Sequence, residues 1–250
     1  MNTMDIKQIH GKIVDFIKKQ AGQKPVVLGL SGGIDSAVCA YLAVEALGKE
    51  KVKGLIMPSA SNSADDVRLA KATADKLGAN YQEIRLDEIL RSYQSVSVLF
   101  NDDKTMGNLK ARTRMSLLYG QANQINGLVM GTGNKTELMI GYFTKYGDGG
   151  VDFLPLGDLY KTQVRQLAVE LGVEKEIIDR PPSAGLWAGQ TDEDEIGMSY
   201  EQMDKILQAI ENNNRLDEFD QAQINKIQAM MATARHKQDM APICFFEGVN

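Results

Sequence analysis

Cysteine, histidine and tryptophan are scarce: the 250 residues hold 2 Cys, 2 His and 1 Trp. Cys39 and Cys244 can form neither a CxxC pair nor a zinc cluster by themselves, so they read as free thiols in a reducing compartment. Long apolar runs are missing too. The longest, Ala37 to Val44, falls far short of the roughly 20 residues that span a bilayer. The N-terminus is polar and has no apolar stretch of the kind a secretion signal needs. These absences predict a cytoplasmic chain with no membrane partner. Positive charge is not in excess either: 28 Lys+Arg face 33 Asp+Glu, a net charge of −5. A chain of that sign is a poor general polyanion binder, which predicts no nucleic-acid partner and leaves room for a local basic pocket.

What is present is ordinary globular material, 43% apolar and 24% charged, enough for a sizeable core. No internal repeat, low-complexity tract or compositional break divides the chain, so one α/β domain with a helical C-terminal part is expected over 1–250. Ile6, Ile9, Ile13 and Ile17 recur at helical spacing. Pro25–Leu30 reads as a buried strand, and Val52–Met57 and Tyr81–Leu86 as the next two strands. Asp35–Leu47 and Ser63–Leu77 read as the helices between them, each stopped by a glycine. That alternation predicts a parallel sheet with helices on both faces. A helix over Asn108–Asn123 and a strand over Gly127–Gly131 follow, then a Gly- and aromatic-rich loop over Tyr142–Pro155. Further helices are expected over Tyr160–Leu171 and from Tyr200 onward, with Thr191–Glu195 as a solvated acidic helix start.

The sharpest local signal is Leu30-Ser31-Gly32-Gly33-Ile34-Asp35-Ser36, set between a strand and a helix. Glycines let the backbone approach a ligand closely, and amides at a helix start favour an anion. With Gly29 in front, the residues Gly29, Leu30, Ser31, Gly32, Gly33, Ile34, Asp35 and Ser36 form a candidate phosphate loop. It is neither a Walker loop nor G-x-G-x-x-G, and no lysine lies within it. A carboxylate at Asp35, beside phosphates, makes sense as a ligand for Mg²⁺.

S-G-G-x-D-S after a first strand resembles the loop of the ATP-pyrophosphatase (PP-loop) superfamily. Those proteins cleave ATP between the α- and β-phosphates and adenylate a substrate. The loop leaves open several members, including tRNA thiolases, and also a non-catalytic nucleotide-binding module. The second half narrows the choice. Asn108-Leu109-Lys110-Ala111-Arg112-Thr113-Arg114-Met115, Gly131-Thr132-Gly133-Asn134-Lys135-Thr136-Glu137, Gly141 to Gly150, Leu154-Pro155-Leu156, Pro182-Ser183-Ala184-Gly185-Leu186 and His236-Lys237 together resemble the NAD synthetase family in order and spacing.

The resemblance implies a Rossmann-like fold of the adenine nucleotide alpha-hydrolase type. It also implies ATP-dependent amidation of deamido-NAD by ammonia through an adenylate, in a homodimer with the dinucleotide at the interface. By position it implies that the loop, Thr132, Lys161 and Ser183 contact ATP. Asp35 and Glu137 would be magnesium ligands. Arg112, Lys145, Asp152, His236 and Lys237 would contact deamido-NAD. Ser183 stands where many relatives have threonine, with the hydroxyl kept. Glu137 follows Gly-Asn-Lys-Thr and not the Asp-His-Ala-Ala of some bacterial relatives, with the carboxylate kept. Asp148 is the candidate for holding ammonium and aiding its deprotonation. Asp35, Asp148 and Lys145 are thus the expected catalytic residues, and Arg114 is expected to be a surface charge. The stretch before Gly29 is too short for a glutaminase domain, so free ammonia is the expected nitrogen donor.

Overall fold

The computed structural model describes residues 5–183, 185, 189 and 191–245. Eleven α-helices and four strands alternate among the described residues. The first half runs α1 (Ile6–Ala21), β1 (Val26–Gly29), α2 (Ile34–Leu47), β2 (Val52–Ile56), α3 (Ala64–Leu77), β3 (Asn80–Glu83), α4 (Asp87–Val96) and α5 (Asp103–Gln124). The second runs β4 (Leu128–Val129), α6 (Lys135–Ile140), α7 (Lys161–Glu170), α8 (Lys175–Ile178), α9 (Asp192–Ile196), α10 (Tyr200–Glu211) and α11 (Gln221–Gln238).

The sheet is parallel throughout, in the order β3-β2-β1-β4. Strand alternation sends successive side chains to opposite faces, and both faces are covered. Val26 and Leu28 join Ile13, Ile17, Val38, Leu42, Val164 and Leu167 in one core. Val27, Leu55 and Val129 join Leu86, Leu90, Leu109 and Ala122 in a second core on the other side. A third, smaller core lies off the sheet, where α6 meets α10 and α11 around Ile140, Met203, Ile206, Leu207 and Ile227. α6 ends at Gly141 (φ +70°), whose missing Cβ would sit 2.5 Å from the Ala234 Cβ of α11. That close approach brings the C-terminal helix against the loop after α6.

Local chemistry accounts for the boundaries. The Ser63 hydroxyl and the Asp66 carboxylate cap each other's backbone amides at the start of α3. α5 begins five residues earlier than its apolar pattern predicts, because Asp102 caps it through Thr105 N–H at 2.8 Å. α4 was not expected, although Ile89, Leu90, Tyr93 and Val96 recur at helical spacing; it buries only Leu90. β3 is assigned only as far as Glu83, but Ile84 N–H still donates to Ile56 O at 2.8 Å and Leu86 N–H to Pro58 O at 2.9 Å before α4 begins. β4 is two residues long, yet Met130 extends it by a parallel bridge to Phe153. The Gly-rich loop is thereby anchored to the sheet edge beyond β4.

Candidate active site

The strand order reverses at β1, with β2 on one side and β4 on the other. Crevices at the carboxyl ends of strands at such a reversal are the usual ligand site of open parallel sheets. A cleft of about 990 Å³ opens there. Gly29–Ser31 follow β1 into its wall, Met57 and Pro58 follow β2, and Met130–Thr132 follow β4.

The glycine loop forms one end. Gly32 has φ +81°, and a Cβ on it would lie 2.3 Å from the Asp66 carbonyl oxygen, so only glycine fits. The Ser36 hydroxyl donates to Gly33 O (2.9 Å), lies 3.0 Å from the Ser31 hydroxyl and accepts from Ser31 N–H (3.2 Å). The loop is therefore tied from within before any ligand arrives. It leads into α2, whose amino-terminal amides and dipole favour an anion.

Asp35, Glu137 and Lys161 come together beside that loop. The Lys161 ammonium, with its side chain only 3% exposed, donates to Asp35 Oδ2 at 2.5 Å and to Glu137 Oε1 at 3.2 Å. Asn134 Nδ2 donates to the other Asp35 oxygen at 3.0 Å, and Asn134 N–H to Glu137 Oε2 at 3.3 Å. Burial opposes the charge on Lys161, but Asp35 and Glu137 overcome it and hold the ammonium above its ordinary range. Burial pushes Glu137 up to about 7, and Lys161 offsets that only in part. Two carboxylates share one cation, so the group is short of positive charge. Hard oxygen donors facing phosphate-binding amides suit Mg²⁺, which takes one or two protein carboxylates and completes its shell with phosphates and water. Among the described residues no cluster of three or more His, Cys, Asp or Glu side chains could hold a metal ion.

Thr132, Lys161 and Ser183 line the same cleft, as do Asp148 and Lys237. Asp148 opens onto it and accepts from Thr144 N–H at 2.9 Å. The walls around it push its pKa up, against the pull of that amide and of Lys237 and Arg114. Lys237 donates to the carbonyls of Gly141 and Phe143, each at 2.7 Å, and sits over the Phe143 ring. Arg112, Lys145 and His236 stand outside the cleft wall. Lys145 donates to His236 O, and Arg112 Nε donates to Lys145 O at 3.3 Å, so the three share one outer surface. Asp152 lies apart from them. It accepts from Val129 N–H at 2.6 Å and from the Tyr119 hydroxyl at 3.3 Å.

Two readings of the sequence need correction. Arg114 is not a surface charge. It lies in the cleft wall, and its guanidinium donates to Met57 O and to Asn62 Oδ1, both at 3.1 Å. Burial lowers its pKa, with Asp148 and Asp66 pulling the other way. Thr191–Glu195 is not merely solvated: Asp192 is buried, and Thr191, Asp192 and Glu195 line the cleft. Lys110, which donates to Ser61 Oγ at 2.9 Å, and the polar turn at 59–63 were also missed. For Arg114 a signal was available in the R-x-R spacing of α5: two residues are about 200° apart on a helix, so Arg112 and Arg114 face opposite ways.

A family model described as NAD synthase matches residues 6–241. The NH(3)-dependent NAD(+) synthetase of Archaeoglobus fulgidus is 48% identical over 244 residues, covering 96% of this chain and 97% of its own. A structure described as NMN synthetase from Francisella tularensis superposes with a TM-score of 0.90 at 36% identity, covering 98% of this chain and 100% of that one. The NH3-dependent NAD synthetase from Campylobacter jejuni, in complex with the nitrate ion, gives 0.84 at 35% identity, covering 97% and 100%.

Proposed function

Because this chain belongs to the NAD synthase family, we propose that its cleft carries out the ATP-dependent amidation of deamido-NAD with ammonia, the last step in making NAD. The enzyme is a ligase that forms a C–N bond. The observation that carries the reading is the Asp35–Lys161–Glu137 cluster at the mouth of the glycine loop. A binding module has no need for two carboxylates beside its phosphate amides, and a thiolase needs a reactive cysteine. Cys39 is buried, and burial raises its thiol well above the ordinary value.

The chemistry has two steps. A nicotinate carboxylate oxygen attacks the α-phosphorus of ATP, and the bond to the β-phosphate bridging oxygen breaks. Pyrophosphate leaves onto the amides of Ser31–Ser36 and the α2 dipole, while Lys161 neutralises charge there. The work is positioning and charge stabilisation. Asp35 and Glu137 would hold Mg²⁺, which when bound neutralises the charge that grows on the departing group. Ammonia then attacks the acyl carbon of the mixed anhydride, and AMP departs. Asp148, at the cleft surface with a raised pKa, is placed to hold ammonium and take a proton from it.

Deamido-NAD reaches the cleft past Lys237, and its remote end meets the outer group Arg112, Lys145 and His236. Arg112 and His236 are exposed and Lys145 is half-buried, which suits a site completed by a second copy of the chain. The exposed apolar residues Val96, Val98 and Leu99 lead directly into α5, the helix that carries Arg112. The two free thiols, Cys39 and Cys244, support a reducing, cytoplasmic setting. The NH(3)-dependent NAD(+) synthetases that this chain resembles support free ammonia as the donor.

A second reading rests on the NMN synthetase structure: the mononucleotide acid could replace the dinucleotide. Purified protein with MgATP and ammonium is assayed against each acid. The first reading expects equal amounts of NAD, AMP and pyrophosphate from deamido-NAD, a higher kcat/KM for it than for the mononucleotide acid, and no replacement of ammonium by glutamine. Preference for the mononucleotide would establish the second reading. No amide from either would remove both.

A further inference from the structure

Helix α10 lies outside the sheet, yet it reaches the cluster beside the phosphate loop from below. Two of its residues, Tyr200 and Asp204, are one helical turn apart and so share a face. Both are almost completely buried. The Tyr200 ring lies under the Lys161 ammonium, 4.9 Å from Nζ to the ring centroid. Its hydroxyl donates to Asp192 Oδ2 at 2.9 Å, which fixes the ring's tilt.

Asp204 works on the backbone of the same cluster. Its Oδ1 accepts from the Thr136 hydroxyl at 2.5 Å, and its Oδ2 accepts from Thr162 N–H at 2.9 Å. The Thr136 oxygen in turn accepts from Lys161 N–H at 3.0 Å. Thr136 immediately precedes Glu137, and Lys161 opens α7. One buried carboxylate therefore joins the start of α6 to the start of α7, and so joins the residue that carries one acidic partner to the residue that carries the shared cation. A carboxylate at the N-terminus of α7 is also favoured by the helix dipole.

We propose that Tyr200 and Asp204 are positioning residues, which hold Lys161 and Glu137 in register with the phosphate loop through Thr136 and the aromatic face. Neither touches the cleft contents in this arrangement. Tyr200 and Asp204 are absent from the cleft wall, whereas Lys161 and Glu137 are part of it. A cation over an aromatic face is attracted to the ring, and it loses that support when the ring goes. The proposal rests on the adenylation chemistry set out above.

Paired variants test it. Thr136→Val removes the hydroxyl that links Asp204 to Lys161, and Thr136→Ser keeps it. Tyr200→Leu removes the ring under Lys161, and Tyr200→Phe keeps it. Pyrophosphate release is followed in a single turnover with MgATP and deamido-NAD, without ammonia, and thermal midpoints are measured alongside. Misplacing a reacting group by about 1 Å costs on the order of 100-fold. The expected result is a loss of at least about tenfold in the Thr136→Val and Tyr200→Leu rates. Thr136→Ser and Tyr200→Phe stay within about threefold of the parent, and the KM for ammonia in full turnover does not change. Parent-like rates in Thr136→Val and Tyr200→Leu would overturn the proposal. So would equal losses in both members of each pair, or losses that follow the thermal midpoint alone. Should either harsher variant not fold, Asp204→Asn is read in its place, with the same tenfold threshold supporting or overturning. A parent protein that releases no pyrophosphate is a different outcome: it removes the adenylation reading itself.

Discussion

Lys161 is the residue on which most of the site's electrostatics converge. It is a buried cation between Asp35 and Glu137, 4.9 Å from the centroid of the Tyr200 ring. Removing one partner of a buried ion pair leaves uncompensated charge, which costs about 3 kcal/mol where burial is deep. Here the carboxylates are only 17% and 18% exposed, so Lys161→Ala is expected to cost about 3 kcal/mol. Its activity is expected to fall further, by about 100-fold or more in kcat, because the departing pyrophosphate loses its fixed cation. Urea unfolding and steady-state assays separate the two effects. Glu137 makes a second prediction. Burial pushes it up to about 7, so the native state binds its proton more tightly than the unfolded chain does. Its contribution to stability is therefore complete below the ordinary carboxylate pKa of about 4.5 and is lost as pH rises through about 7. With ATP and magnesium left out, the difference in unfolding free energy between parent and Glu137→Gln is expected to shift by up to about 3 kcal/mol across that window, the parent losing ground as pH rises. A difference that stays flat with pH would contradict the environment described for Glu137.

At the scale of elements, the caps decide how firmly the helices meet the cleft. Ser63 closes a reciprocal cap on α3, and the Ser63 hydroxyl also accepts from Arg180 at 3.1 Å. Ser63→Ala is expected to cost about 1 kcal/mol, read as a lowered thermal midpoint. The same change loosens the wall that carries Asn62 and Asp66, so the KM for ATP is expected to rise with it. The central strands and α1, α2, α3 and α7 were legible because buried faces repeat at fixed periods and glycines stop them. α4 was missed although Ile89, Leu90, Tyr93 and Val96 repeat at helical spacing, because those ten residues follow closely on the third strand and bury only Leu90. The Gly-rich segment was read as a loop, correctly, but nothing local announced its parallel bridge at Phe153, which depends on where β4 ends.

Across the whole molecule, the glycine loop and its Asp35 were readable because one short segment carries them. The resemblance to a family supplied Glu137 and Lys161 by position, and only the fold brings all three together from α2, α6 and α7. Arg114, Asp192, Tyr200 and Asp204 were missed because their roles depend on burial between elements far apart in the chain. Their residue types look like ordinary helix surface when read alone. Arg112, Lys145 and His236 gather on one outer surface, whereas Asp152 is engaged with β4. The reaction proposed for this member of the NAD synthase family has a signature in the path of a single atom. The decisive measurement uses deamido-NAD with ¹⁸O in its nicotinate carboxylate, together with MgATP and ammonium. Attack by that carboxylate on the α-phosphorus predicts that one labelled oxygen appears in AMP and none in pyrophosphate. Unlabelled AMP, or label in pyrophosphate or inorganic phosphate, would contradict the account.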